Sequence, residues 1–75
     1  MVKVLYFGIA REITGKAEEE LEAYDTAGLR HLLNVSYPEI RSVPFRLALN
    51  GSLLREETTL ENGDKIAVLP PFAGG

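Results

Sequence analysis

The chain has no cysteine and a single histidine. Without cysteine there is no disulfide framework, no thiolate zinc site and no thiol nucleophile. Missing disulfides also point to a reducing compartment, because small secreted domains are usually disulfide-dense. Positive charge is scarce: 8 Lys+Arg stand against 11 Asp+Glu, for a net charge of -3. That is the wrong sign for neutralising phosphates, so no nucleic-acid partner is expected. Long apolar runs are absent too. The opening MVKVLYFG is broken by Lys3 and followed by Arg11 and Glu12, which suits neither a signal-peptide core nor a spanning helix. No membrane association is expected, and a cytoplasmic location is. Length is short as well: 75 residues are about half of an ordinary domain. With no repeat, linker or low-complexity tract, residues 1–75 are expected to form one domain. Hydrophobic residues at 45% and charged residues at 25% are the balance of a chain that folds in water.

Alternation and turn chemistry supply the elements. Residues 2–7 are apolar except for Lys3, which suits a strand buried on most of both faces. Gly8 and Gly15 bracket a stretch expected to be a loop. Residues 17–24 then place Glu19, Leu21 and Ala23 on one face and Glu18, Glu20 and Glu22 on the other. This reads as an edge strand guarded by charge against edge-to-edge pairing. Asp25 or Thr26 can cap a helix carrying Leu29, Leu32 and Leu33 on one stripe. Pro38 forbids helical geometry at Tyr37, so that helix should end at 34–36.

Residues 45–49 alternate again, with Phe45, Leu47 and Leu49 on one side. Asn50-Gly51 is a strong hairpin-turn signal, and a short return strand over 52–54 should follow it. Residues 55–64 are polar and turn-rich. Residues 65–69 form the last strand, ended by Pro70 and Pro71, which have no N–H to give to a ladder. The order β-β-α-β-β-β predicts an α+β domain of the β-grasp, or ubiquitin-like, type: a mixed sheet covered on one face by one main helix.

Strand parity then divides the sheet. Val2, Val4, Tyr6, Phe45, Leu47, Leu49, Ile66 and Val68 are expected on the core side. Lys3, Leu5, Phe7, Arg46, Ala48, Lys65, Ala67 and Leu69 are expected opposite. One helix cannot cover both faces, so Phe7 and Leu69 are expected to form an exposed apolar patch of the kind that marks an interface.

The ending PPFAGG stands out, because glycine loses much entropy on ordering and contributes no side chain to packing. Two prolines give a stiff, extended exit from the last strand. The five residues after Pro70 can reach roughly 16 Å at about 3.3 Å each. The segment 70–75 is therefore expected to be a tail with a thin, flexible tip, able to thread a terminal carboxylate into a narrow channel.

Taken with VKVLYFGIAREITG near the start, LALNG in the middle and TTLENGDKIAVLPPFAGG at the end, the chain resembles the β-grasp sulfur-carrier proteins. Within them it is most similar to the small subunits of molybdopterin synthase. The resemblance runs over essentially the whole chain. It implies that the Gly75 carboxylate, ionised at neutral pH with a pKa of about 3.5, is adenylated by a ubiquitin-activating-like adenylyltransferase using ATP and Mg²⁺. Sulfur from a persulfide then leaves a Gly75 thiocarboxylate, which donates sulfur for the dithiolene of molybdopterin. Gly74 would keep the tip thin. The carrier would not be catalytic alone and would bind no cofactor or metal of its own.

The resemblance also implies partner contacts at Phe7, Arg11, a leucine after the hairpin (Leu53 or Leu54) and Leu69, and along Pro70, Pro71 and Phe72. The expected partner is the large synthase subunit, in a heterotetramer. Two other fates of the same activated terminus stay open: a thiamine-pathway sulfur carrier, and a ubiquitin-like modifier conjugated to lysines. His31 falls off the leucine stripe and is read as a solvated helix residue. Glu18, Glu19 and Glu20, with Glu56 and Glu57, are read as solvated or as partner electrostatics, because their spacing lacks the alternation of a hard-cation loop.

Overall fold

The computed structural model describes residues 1–71. Its elements are β1 (Val2–Tyr6), α1 (Ile9–Thr14), β2 (Glu18–Leu21), α2 (Thr26–Ser36), a 3₁₀ helix (Pro38–Ser42), β3 (Arg46–Leu49), β4 (Ser52–Leu53) and β5 (Lys65–Leu69). The strands form one mixed sheet in the order β2-β1-β5-β3-β4. β1 runs parallel to β5, and every other pairing is antiparallel. The expected α+β arrangement, a mixed sheet with one main helix on one face, is the one observed.

Local chemistry accounts for the elements. Asp25 caps α2, its Oδ1 accepting from the Gly28 N–H at 2.6 Å. Tyr37, ahead of Pro38, leaves helical geometry with φ −132°, as the restriction on a residue before proline requires. In the β3–β4 hairpin Asn50 and Gly51 take φ 47° and 90°. Both central residues of this tight turn sit at positive φ, which asparagine and glycine tolerate best.

The core lies between the sheet and α2. Val2, Val4, Tyr6, Leu47, Ile66 and Val68 from the sheet are buried with Leu29, Leu33, Ile40, Leu60 and Ala10. Phe45 and Leu49, expected in the core, are half-buried against it. At about 1.5 to 3 kcal/mol for each fully buried aliphatic side chain, this cluster is what opposes the chain entropy of a small domain.

Four expectations need correction. The stretch between Gly8 and Gly15 is a helix, not a loop; it buries Ala10 and Thr14 and leans Ile13 on the core. Six residues are too few for a periodic signal to stand out, and tertiary packing supplies what propensity does not. The edge strand is confined to Glu18–Leu21; Ala23 still packs on the core from outside it. The segment 55–64, though polar, contributes Leu60 to the core, its N–H donating to the Tyr24 carbonyl at 2.8 Å. Ala48, placed on the open face, is only 7% exposed, because it sits between Ala67 and Leu53 of the flanking strands.

Candidate functional site

Strand register lays out the face of the sheet turned away from α2. Lys65, Lys3 and Glu20 form one row across it. Leu53, Ala48, Ala67, Leu5 and Glu18 form the next. Nearest the tail, Arg46 pairs with Leu69, and the Phe7 N–H donates to the Val68 carbonyl at 3.1 Å. An apolar band therefore runs obliquely across this face with charge on both sides. The Lys3 Nζ lies 3.4 Å from Glu18 Oε2. Phe7 is 44% exposed and Leu53 49%, whereas Leu69 is half-buried.

Parity and the structure agree on the face that Phe7 and Leu69 occupy, side by side where β1 and β5 end, but only Phe7 is exposed there. Arg11 is exposed on α1, the helix that starts just after Phe7. Of the two leucines left open by the sequence, Leu53 is the exposed one; Leu54 turns back onto the core, its N–H donating to the Leu47 carbonyl at 2.9 Å. Pro70 is half-buried and Pro71 exposed. Phe72, Gly74 and Gly75 lie outside the described residues.

One contact at the tail exit was not legible beforehand. Gly8 adopts φ 57° and ψ −132°, and a Cβ built on it would stand 2.8 Å from Pro70 Cγ. The backbone thus needs glycine here twice over, for its dihedral and for its closeness to the proline ring. Gly8 leaves room for the Pro70 ring at the point where the chain leaves β5. The available signal was a glycine just past β1 and a proline just past its parallel neighbour β5.

A second feature missed from sequence sits on the core side at the sheet edge. Glu19 pairs with Val4 and so shares its face. It accepts from the Tyr6 hydroxyl at 2.5 Å, the Tyr37 hydroxyl at 2.7 Å and the Lys16 ammonium at 3.0 Å. Burial alone would raise its pKa, but the three donors outweigh burial and hold the carboxyl below its usual range. Burial, reinforced by the Glu19 carboxylate, pushes the Tyr6 phenol well above its ordinary value. Tyr6 and Tyr37 meet edge to face with centroids 6.2 Å apart. Glu19 is therefore a structural acceptor that ties β2 to β1 and the residue after α2, not a solvated charge.

Chemically, the open face offers an apolar surface with flanking charge beside the point where the chain leaves β5 at Pro70. A model of the ThiS family matches residues 4–75. The molybdopterin synthase sulfur carrier subunit of Chlamydomonas reinhardtii is 36% identical over 81 aligned positions, covering 99% of this chain and 98% of that protein. Among solved structures, small archaeal modifier protein 1 from Methanosarcina acetivorans superposes with a TM-score of 0.85 at 29% identity, over 99% of this chain and 95% of that one. The complex of subunits 1 and 2 of molybdopterin-converting factor from Helicobacter pylori contains a chain with a TM-score of 0.73 and 34% identity, over 99% of this chain and 97% of that one.

Proposed function

The chain belongs to the ThiS family, and from that premise we propose that it is the sulfur carrier subunit of a molybdopterin synthase. The observation that carries the reading is the likeness, over nearly the full length of both chains, to a protein named for that role. The open face beside the Pro70 exit is consistent with it.

In this reading the Gly75 carboxylate attacks the α-phosphorus of ATP in the active site of an adenylyltransferase, releasing pyrophosphate and forming an acyl adenylate. A carboxylate is a poor acyl electrophile, and AMP is a good leaving group. The terminal sulfur of a partner's persulfide displaces AMP to give an acyl disulfide. A thiol then cleaves its S–S bond, leaving the Gly75 thiocarboxylate and a new disulfide. This chain has no cysteine, so both sulfur nucleophiles belong to partners. Its own residues bind and position: Phe7, Leu53 and Leu69 dock, Gly8 and Pro70 aim the tail, and Gly74 keeps the tip narrow. The large subunit receives the tail in a heterotetramer. The Helicobacter pylori factor, one chain of which is similar to this one, was solved as a complex of its subunits 1 and 2.

A second reading has one observation in its favour, the likeness to a chain named as an archaeal modifier. There the same activated carbonyl would be taken by a lysine amine instead of by sulfur. Intact-mass measurement after incubation with an adenylyltransferase, ATP and a persulfide donor tests the first reading. One sulfur should replace one oxygen, and fragmentation should place it on Gly75. Sulfur elsewhere, or none at all, would overturn the carrier function; lysine conjugates in place of thiocarboxylate would favour the modifier.

A further inference from the structure

Around Phe45 the fold gathers Arg30, Arg41, Arg46 and Arg55, every arginine of the chain except Arg11. They arrive from α2, the 3₁₀ helix, β3 and the segment after β4. A groove of about 730 Å³ includes Arg30, Arg46 and Arg55 in its lining, with Phe45 and Leu54. A second, of about 370 Å³, adjoins it past Phe45 and reaches Arg41. Arg30 is already committed: its Nε lies 3.4 Å from Glu57 Oε1, and its guanidinium stands 5.6 Å from the Phe45 ring centroid. Arg41, Arg46 and Arg55 make no ion pair among the described residues.

Arg46 and Arg55 thus line one groove without an ion-pair partner among the described residues, with Arg41 in the adjoining one, and a carboxylate placed between Arg46 and Arg55 would be held by both. We propose that this groove docks an acidic, extended segment of a partner protein. Its carboxylates pair with Arg46 and Arg55, and an apolar side chain rests on Phe45 and Leu54. Arginine suits this occupant because its planar fork takes carboxylates in a bidentate fashion. A uniform polyanion such as nucleic acid is disfavoured, since Glu56 and Glu57 line the same groove. A second copy offering its acidic β2 edge would make a heterologous, head-to-tail contact, giving rings or open filaments rather than a two-fold dimer, and self-association is an outcome that the test reads. Position links the groove to the tail: Arg46 is the register partner of Leu69, the residue before Pro70. A protein that receives the tail can lay such a segment into the groove in the same docking event, though the proposal does not depend on the fate of Gly75.

The test titrates the whole ¹⁵N-labelled chain with an otherwise uncharged peptide carrying one glutamate on each side of a central leucine. Resonances of Arg30, residues 45–47 and residues 54–57 should shift. Arg46→Glu with Arg55→Glu should weaken binding about tenfold or more. Lys3→Glu with Lys65→Glu, the same charge change at two residues that do not line the groove, should leave it within about twofold. Both arginines are exposed, so folding should survive; Arg46→Gln with Arg55→Gln provides a milder pair expected to lose affinity in the same direction. Equal weakening by the arginine and lysine pairs would reduce the effect to net charge and overturn the proposal. So would an absence of shifts, equal binding of a single-stranded oligonucleotide at these residues, or self-association through them without peptide.

Discussion

The two faces of the sheet share the same strands but differ in what covers them. On one side Val2, Val4, Tyr6, Leu47, Ile66 and Val68 are sealed under α2, the 3₁₀ helix and Leu60. On the other, Lys3, Leu5, Ala67 and Leu69 are half-buried, while Phe7, Arg46 and Leu53 are exposed. A chain this short has one main helix to spend, so only one face can become core. The comparison teaches that strand parity separates the residues that hold the fold from those left open at the surface. A residue and its sequence neighbour should answer to different measurements.

The strongest way to break that comparison is at the sealed face. Leu47→Ala should lower stability by about 2 to 5 kcal/mol, read from urea or thermal melts. In a domain of this size each kcal/mol moves the melting temperature by about 4 to 8 °C. A loss under about 1 kcal/mol would mean that the core is not where the buried cluster puts it.

Next comes the seam where the two faces meet the tail. Gly8→Ala introduces a Cβ at a positive φ and against Pro70, and should lower stability by about 1 to 3 kcal/mol. If the tail is aimed by this contact, the variant should also transfer sulfur more slowly than its melting curve explains. A variant as stable as wild type would show that Pro70 can move aside.

Smaller still is the effect expected at Glu19. Glu19→Gln keeps an acceptor but loses the charge, and should lower stability near neutral pH by about 1 kcal/mol. Because the folded-state pKa is depressed, the wild-type contribution is fully present above the unfolded value of about 4.3. It is lost as pH falls below that value through the folded one. The glutamine variant should therefore have a flatter stability profile than wild type on acidification, and parallel profiles would assign the acid sensitivity to other carboxylates. Tyr6, whose pKa is raised, acts in the opposite sense: its contribution is complete below about pH 10 and declines only as pH rises above that. The smallest effect belongs to the open face. Leu53→Ala should change stability by no more than about 0.5 kcal/mol, and a larger loss would show that this face is covered within the monomer.

Much of this was legible in the sequence because a strand's period of two converts directly into faces. Val2, Val4 and Tyr6 against Lys3, Leu5 and Phe7, the Asn50-Gly51 turn and the stop at Pro38 all needed only local chemistry. What was hidden depended on partners distant in the chain. Residues 9–14 are too short to announce a helix, and Leu60 looks like a loop residue until it is seen packed in the core. Glu19 reads as one of three solvated glutamates until Tyr6 and Tyr37 are brought to it. The arginines around Phe45 are scattered along the sequence and converge only when α2 and the 3₁₀ helix settle beside β3. Gly8 looked like a turn; that Pro70 rests on it follows from the parallel pairing of β1 with β5.

The most direct test of the division between faces is one titration performed twice. The large synthase subunit is titrated into wild-type and Phe7→Ala chains, with the unbound chains melted in parallel. The account predicts affinity about 5-fold to 150-fold weaker for the variant, with a stability change of no more than about 0.5 kcal/mol. Unchanged affinity together with a destabilisation as large as that of Leu47→Ala would contradict it.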